Sequence, residues 1–217
     1  MTIRLILVDD HPMLRQGLRA LLDQETDLQV VAEAGDGRTA VQQAQTQQPD
    51  LVIMDLALPQ LNGIEATRQI RALYPQIKII ALSQHMDSRY VEGALEAGAD
   101  GYVLKRAAVG ELVQAVRVVT AGQAFLSPFI TRVVLDRYSQ PADRSLRGLA
   151  SPLTDREREI LQLITEGQTT SQIALNLHLS ERTVSTHRQH IMDKLGLHTL
   201  PALTKYALRE GLTSFDL

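Results

Sequence analysis

Residues 49–66 read PDLVIMDLALPQLNGIEA. The apolar run 51–54 has no polar interruption and stops at Asp55. A short continuous run of this kind is the pattern of a strand buried on both faces, as parallel strands are. Ile64, Thr67, Ile70 and Leu73 then recur at helical spacing. The stretch is one strand–loop–helix unit with a carboxylate at the carboxyl end of its strand.

The same unit repeats on either side of it. Apolar runs at 3–8, 28–32, 77–82 and 102–104 bring the number of predicted strands to five. Between them Met13, Leu14, Leu18, Leu21 and Leu22, and later Val91, Ala94 and Leu95, have helical spacing, and 109–120 reads as a fifth helix ended by Gly122. Five such units predict an α/β fold: a doubly wound, five-stranded parallel sheet with right-handed crossovers.

The rest of the chain reads differently. Ser127-Pro128 looks like an N-cap with Pro at the first helical position, opening a helix to about residue 138. Residues 139–152 carry Pro, Ser, Gly and scattered charges without apolar periodicity, which predicts a linker. Thr154 and Glu157 then form a capping-box pattern. The helix it opens has the apolar face Ile160, Leu161, Leu163 and Ile164 and stops at Gly167. Helices follow at about 170–177, at 181–195 with Ser180 as cap and Gly196 as stop, and at about 200–210. Four short helices with tight turns have the size of a helix-turn-helix module. The expected organisation is 1–122, a connecting segment 123–152 with a helix and a flexible linker, and 153–217.

Bulk properties narrow the chemistry. The 217 residues suit two domains. There is no cysteine, which excludes disulfides, thiolate metal sites and cysteine nucleophiles. The apolar run 3–8 is too short for a signal peptide or a membrane span, and Arg4 interrupts it, so a cytoplasmic protein with no membrane partner is expected. Net charge is −3, and residues 151–217 hold seven Lys and Arg against eight Asp and Glu, so charge alone does not announce a nucleic-acid binder.

The predicted strand ends point to a different chemistry. Asp9 and Asp10 follow the first strand, Asp55 the third, Ser83 the fourth and Lys105 the fifth. In an open α/β sheet the loops at the carboxyl ends of neighbouring strands form the binding crevice. Three carboxylates there repel one another, and a divalent hard cation such as Mg²⁺, which takes oxygen ligands and works with phosphate, resolves the repulsion. A hydroxyl and an ammonium on the same rim suit a phosphoryl group.

With these residues in place, the stretches LILVDDHPMLRQGL, PDLVIMDLALPQLNGIEA, IIALSQH and AGADGYVLK resemble a response-regulator receiver domain over the first 120 residues. The resemblance implies that Asp55 is the phosphoryl acceptor, that Asp9, Asp10, Asp55 and the backbone carbonyl of Ala57 hold Mg²⁺, and that Ser83 and Lys105 bind the phosphoryl oxygens. It makes Tyr102 the aromatic switch, its ring entering space that Ser83 vacates on loading. A sensor histidine kinase is the implied donor. Where the broad receiver pattern often has Pro after the Lys, this chain has Arg106.

Residues 153–197 resemble a LuxR-type helix-turn-helix, and the domain order matches the NarL/FixJ class. The helix from Glu181 is then the recognition helix, with double-stranded promoter DNA as partner. Its wheel puts Val184, His187, Ile191 and Leu195 together and Arg182, Ser185, Thr186 and Gln189 opposite. The expected DNA contacts are Arg182, Thr183, Ser185, Thr186, Arg188, Gln189 and Lys194. Lysines common in the family at the positions of Ser185 and Gln189 are absent, which predicts weak binding by a monomer and a homodimer when phosphorylated. Two other readings are an Asp-nucleophile phosphatase and a receiver scaffold that works without phosphorylation. The phosphatase pattern has a second Asp two residues after the nucleophile, and Ala57 stands there.

Overall fold

The computed structural model describes residues 2–106, 109–139 and 152–213. The chain divides into two compact units, 1–140 and 141–217. Most of the linker expected at 139–152 lies outside the described residues.

Unit one is a parallel sheet flanked by helices. In chain order its elements are β1 (Ile3–Val8), α1 (Pro12–Leu22), β2 (Leu28–Ala34), α2 (Gly37–Gln47), β3 (Leu51–Asp55), α3 (Gly63–Leu73), β4 (Lys78–Ser83), α4 (Ser88–Glu96), β5 (Gly101–Leu104), α5 (Val109–Thr120), β6 (Phe125–Leu126) and α6 (Pro128–Ser139). The strand order is β2-β1-β3-β4-β5-β6, and every pairing is parallel. Alternate residues face opposite sides, as strand geometry requires. Leu5, Leu7 and Ile53 pack with Leu22 of α1 and Leu112 and Val116 of α5. Ile6, Val8, Val52 and Met54 pack on the other side with Ala40 and Ala44 of α2 and Ala66 and Ile70 of α3. Both faces are covered, which is why the strands read as unbroken apolar runs.

The sheet has six strands, not five. β6 is two residues long and pairs Phe125 with Gly101 and Leu126 with Tyr102. So short a strand leaves no apolar run in the sequence. It delivers the chain to α6, which packs on the same unit: Ile130 is fully buried in a cluster with Val91 and Ala94 of α4, Tyr102 and Leu104 of β5, and Ile64.

Unit two contains α7 (Asp155–Thr165), α8 (Thr170–Leu177), α9 (Glu181–Leu195) and α10 (Leu200–Arg209). The capping box at Thr154 and Glu157 is formed, and a second one joins Thr169 and Gln172 at α8. Gly196 closes α9 at φ 63°, a left-handed conformation that glycine adopts without strain. Ile160, Leu161, Leu163, Ile173, Val184, Ile191 and Leu203 form its core. Among the described residues no helix is long and apolar enough to cross a membrane.

Candidate phosphoryl site and nucleic-acid interface

Strand register builds the first site. Val8 pairs with Met54, Asp55 with Leu82, and Ser83 with Leu104. Asp9, Asp55, Ser83 and Lys105 therefore emerge level at the carboxyl edge of four adjacent strands. Asp9, Asp55 and Ser83 are buried. Lys105 reaches back between two of the acids, its Nζ 2.6 Å from Asp55 Oδ2 and 2.8 Å from Asp9 Oδ2. Asp55 Oδ1 accepts the Ala57 N–H at 3.2 Å. Gly63 closes the loop over this strand end: its N–H donates to the Leu56 carbonyl at 3.0 Å, and a Cβ there would overlap the Asp55 carbonyl.

Burial pushes the Asp55 carboxyl up to about 6, against the pull of Lys105. Burial also disfavours the Lys105 ammonium, but Asp55 and Asp9 outweigh it, so lysine stands above its ordinary value. The site is short of positive charge. Asp9 Oδ2 and Asp10 Oδ1 are buried without a hydrogen-bond partner, although Lys105 Nζ and His11 Nδ1 stand near them at 2.8 and 2.7 Å. Asp9, Asp10, His11 and Asp55 each turn one ligand atom into a group within 4.8 Å of one another. Such oxygen-rich, under-neutralised groups fit a hard divalent cation.

His11 escaped the sequence reading. It is the N-cap residue of α1 ahead of Pro12, and its N–H donates to Asp9 Oδ1 at 2.8 Å. Arg15 escaped as well: its guanidinium donates to the Asp9 carbonyl at 2.5 Å and to Glu33 at 3.0 Å, tying the end of β1 to β2. No local pattern marks the Arg15 role, because it depends on where β2 lies.

Ser83 and Tyr102 are where the register expects them, but the ring differs from expectation. Tyr102 is already fully buried, packed among Val91, Ala94, Leu104 and Ile130, and its hydroxyl donates to the His85 carbonyl at 2.9 Å. Burial holds the phenol far above its ordinary value. The ring thus already lies inside, and Ile130 of α6 packs against it. Ser83 Oγ accepts the His85 N–H at 3.0 Å.

In unit two, α9 is split as its wheel predicts. Val184 and Ile191 are buried, Leu195 packs on the same core, and His187 is half-buried. Arg182, Ser185, Thr186, Arg188 and Gln189 are exposed, with Thr183 half-exposed. Ser180 Oγ accepts the Thr183 N–H at 3.1 Å and caps the helix. Gln189 spends an amide hydrogen on Asp193 at 2.8 Å. Lys194 is tied to Glu157 at 2.6 Å, fastening α9 to the cap of α7 instead of standing free for phosphate. The two residues are 37 apart, so no local pattern reveals the pair.

Comparison with known proteins covers both units. The family of response regulator receiver domains matches residues 5–117, and the luxR family of bacterial regulatory proteins matches 151–207. The response regulator VraR of Staphylococcus aureus is 35% identical, the alignment covering 98% of this chain and 99% of VraR. A two-component response regulator of the LuxR family from Aurantimonas has a solved structure that is 41% identical, with TM-score 0.63, covering 64% of this chain and all of that one. The response regulator RcsB in complex with DNA is 27% identical, with TM-score 0.61 and coverage of 97% and 99%.

Proposed function

Since the chain belongs to the two-component response regulators that join a receiver domain to a LuxR-type DNA-binding domain, we propose that Asp55 is the phosphoryl acceptor through which it controls promoter binding. The protein is a transcriptional regulator and not an enzyme. The observation that carries the assignment of Asp55 is Lys105 lying between Asp55 and Asp9, with Ser83 level beside them.

In phosphoryl transfer from a sensor histidine kinase, an Asp55 oxygen bonds to phosphorus, the phosphorus–nitrogen bond breaks, and the imidazole keeps the electron pair and takes a proton. Positioning and charge dominate such chemistry. Asp9, Asp10, Asp55 and the Ala57 carbonyl would hold Mg²⁺, which when bound offsets the charge of the incoming group. Lys105 holds the Asp55 carboxylate in line and then turns to a phosphoryl oxygen. Ser83 exchanges the His85 N–H for the same anion. Without an acid at position 57 to activate water, the acyl phosphate persists long enough to signal.

The recognition element is α9, whose exposed Arg182, Thr183, Ser185, Thr186, Arg188 and Gln189 face the major groove. Gln189 suits adenine and the Thr186 methyl a thymine methyl. With few cations on this face, affinity comes from two linked half-sites, so loading acts by producing a homodimer. The donor kinase and the DNA put the site of action in the cytoplasm. Incubation with acetyl phosphate and Mg²⁺ should label the chain stoichiometrically, shift it to a dimer on gel filtration and tighten DNA binding, all lost in Asp55→Ala. Labelling that survives Asp55→Ala overturns the assignment.

A further inference from the structure

Besides the packing of Ile130, the start of α6 is linked to the end of β5 at two points, each through a residue next to Lys105. The first is Ser127. Its buried hydroxyl accepts the Leu104 N–H at 3.3 Å and donates to Glu111 of α5, and its own N–H donates to the Tyr102 carbonyl at 2.9 Å. Leu104 directly precedes Lys105. The second is Arg106, which directly follows it. The Arg106 guanidinium lies 5.3 Å from the ring centroid of Phe129 in the first turn of α6, and it donates to Met86 Sδ at 2.7 Å in the loop after Ser83.

The second contact is not one that folding demands. Arg106 and Phe129 are both exposed, so the stack buries little and satisfies no buried polar group. It also stands where receivers often carry proline, which offers no cation. Beneath it Ile130 is fully buried against α4 and β5, so the chain's own helix covers that face of the receiver.

We propose that Arg106 and Ser127 couple the position of Lys105 to α6, so that loading of Asp55 changes the hold of that helix on the receiver and passes the signal along the chain. Lys105 is pinned between Asp9 and Asp55. A phosphoryl group on Asp55 carries the negative charge further out, and the ammonium follows it. Residues 104 and 106 share the same short backbone stretch, and both grip α6. Movement of Lys105 therefore reaches α6 through one hydrogen bond, from Leu104 to Ser127, and one stack, Arg106 on Phe129. The element biased by the charge is a helix already lying on the receiver, and the chain runs on from its far end toward residue 153.

The proposal rests on Asp55 being the phosphoryl acceptor, and one experiment separates the two. Amide exchange of the peptide covering 128–139 is measured by mass spectrometry in the full chain, before and after acetyl phosphate with Mg²⁺, with labelling quantified in each sample. Wild type is expected to change its α6 exchange by about threefold on loading. Arg106→Ala and Phe129→Ala should label to the same extent and lose more than half of that change, while Arg106→Lys, which keeps a cation over the ring, retains it. Absence of labelling in wild type overturns both readings. Full labelling with no α6 response in wild type, or with an undiminished response in both alanine variants, overturns the coupling alone. Both substituted side chains are exposed, so neither variant removes core packing.

Discussion

Lys105 Nζ stands 2.6 Å from Asp55 Oδ2 and is almost wholly shielded from solvent. Removing one partner of a buried pair leaves an uncompensated charge, which costs about 3 kcal/mol or more. Lys105→Met should lower the unfolding temperature of unit one in EDTA. Mg²⁺ should recover more stability in the variant than it adds to wild type, because the acids then have no other cation. Thermal melts with and without Mg²⁺ check this; equal Mg²⁺ effects in the two proteins would contradict it.

Gly63 abuts the backbone that carries Asp55. Gly63→Ala forces the α3 entry away from that strand end, and overpacking of this kind costs about 1–3 kcal/mol. The variant should unfold at lower urea and accept phosphate more slowly from acetyl phosphate. An unchanged labelling rate at a lowered midpoint would show that the loop tolerates the shift.

Unit two carries its own pH dependence. Burial works to raise the Glu157 carboxyl, but Lys194 and the Thr154 cap outweigh it, and the group ends below the ordinary value of 4.5. A carboxyl held low in the folded state contributes stability that is present above that value and lost as pH falls through the lowered one. Unfolding of α7, followed by urea-dependent exchange of its peptide, should therefore ease from about pH 4.5 downward in wild type. Glu157→Gln keeps a cap acceptor but not the ion pair, and should flatten that limb. Thr154→Ala should cost about 1 kcal/mol at neutral pH.

Salt dependence tests the recognition face. Arg182 and Arg188 are its exposed cations, and Lys194 is held by Glu157. Two phosphate contacts per protomer give a dimer a slope of about −3.6 in log affinity against log salt. Arg188→Ala should bring that slope nearer zero by roughly 2 and weaken all sequences alike. Gln189→Ala should instead relax preference at a single base position.

The strands and the acids at their ends were legible because parallel strands buried on both faces leave continuous apolar runs, and a run that stops at Asp9 or Asp55 announces its own rim. What escaped depends on neighbours far along the chain. β6 is too short to leave a pattern. Ser127-Pro128 marks where α6 begins, but nothing in 128–139 says that Ile130 seals Tyr102 into the receiver. Lys194 is an expected DNA contact by resemblance, and only the packing of α7 against α9 brings it to Glu157.

The two edges of the sheet are unequal. β6 offers two residues of open backbone, whereas β2 offers seven. A long bare edge invites another chain to add a strand, the usual route to aggregation. On β2 the risk is countered by polar side chains: Gln29 is exposed, and Glu33 is clamped between Arg15 and Arg19. The arginine that steadies Asp9 thus also holds a charge on the vulnerable border. Losing Arg15 would leave a protein with a looser acid site and a greater tendency to form insoluble β-rich assemblies.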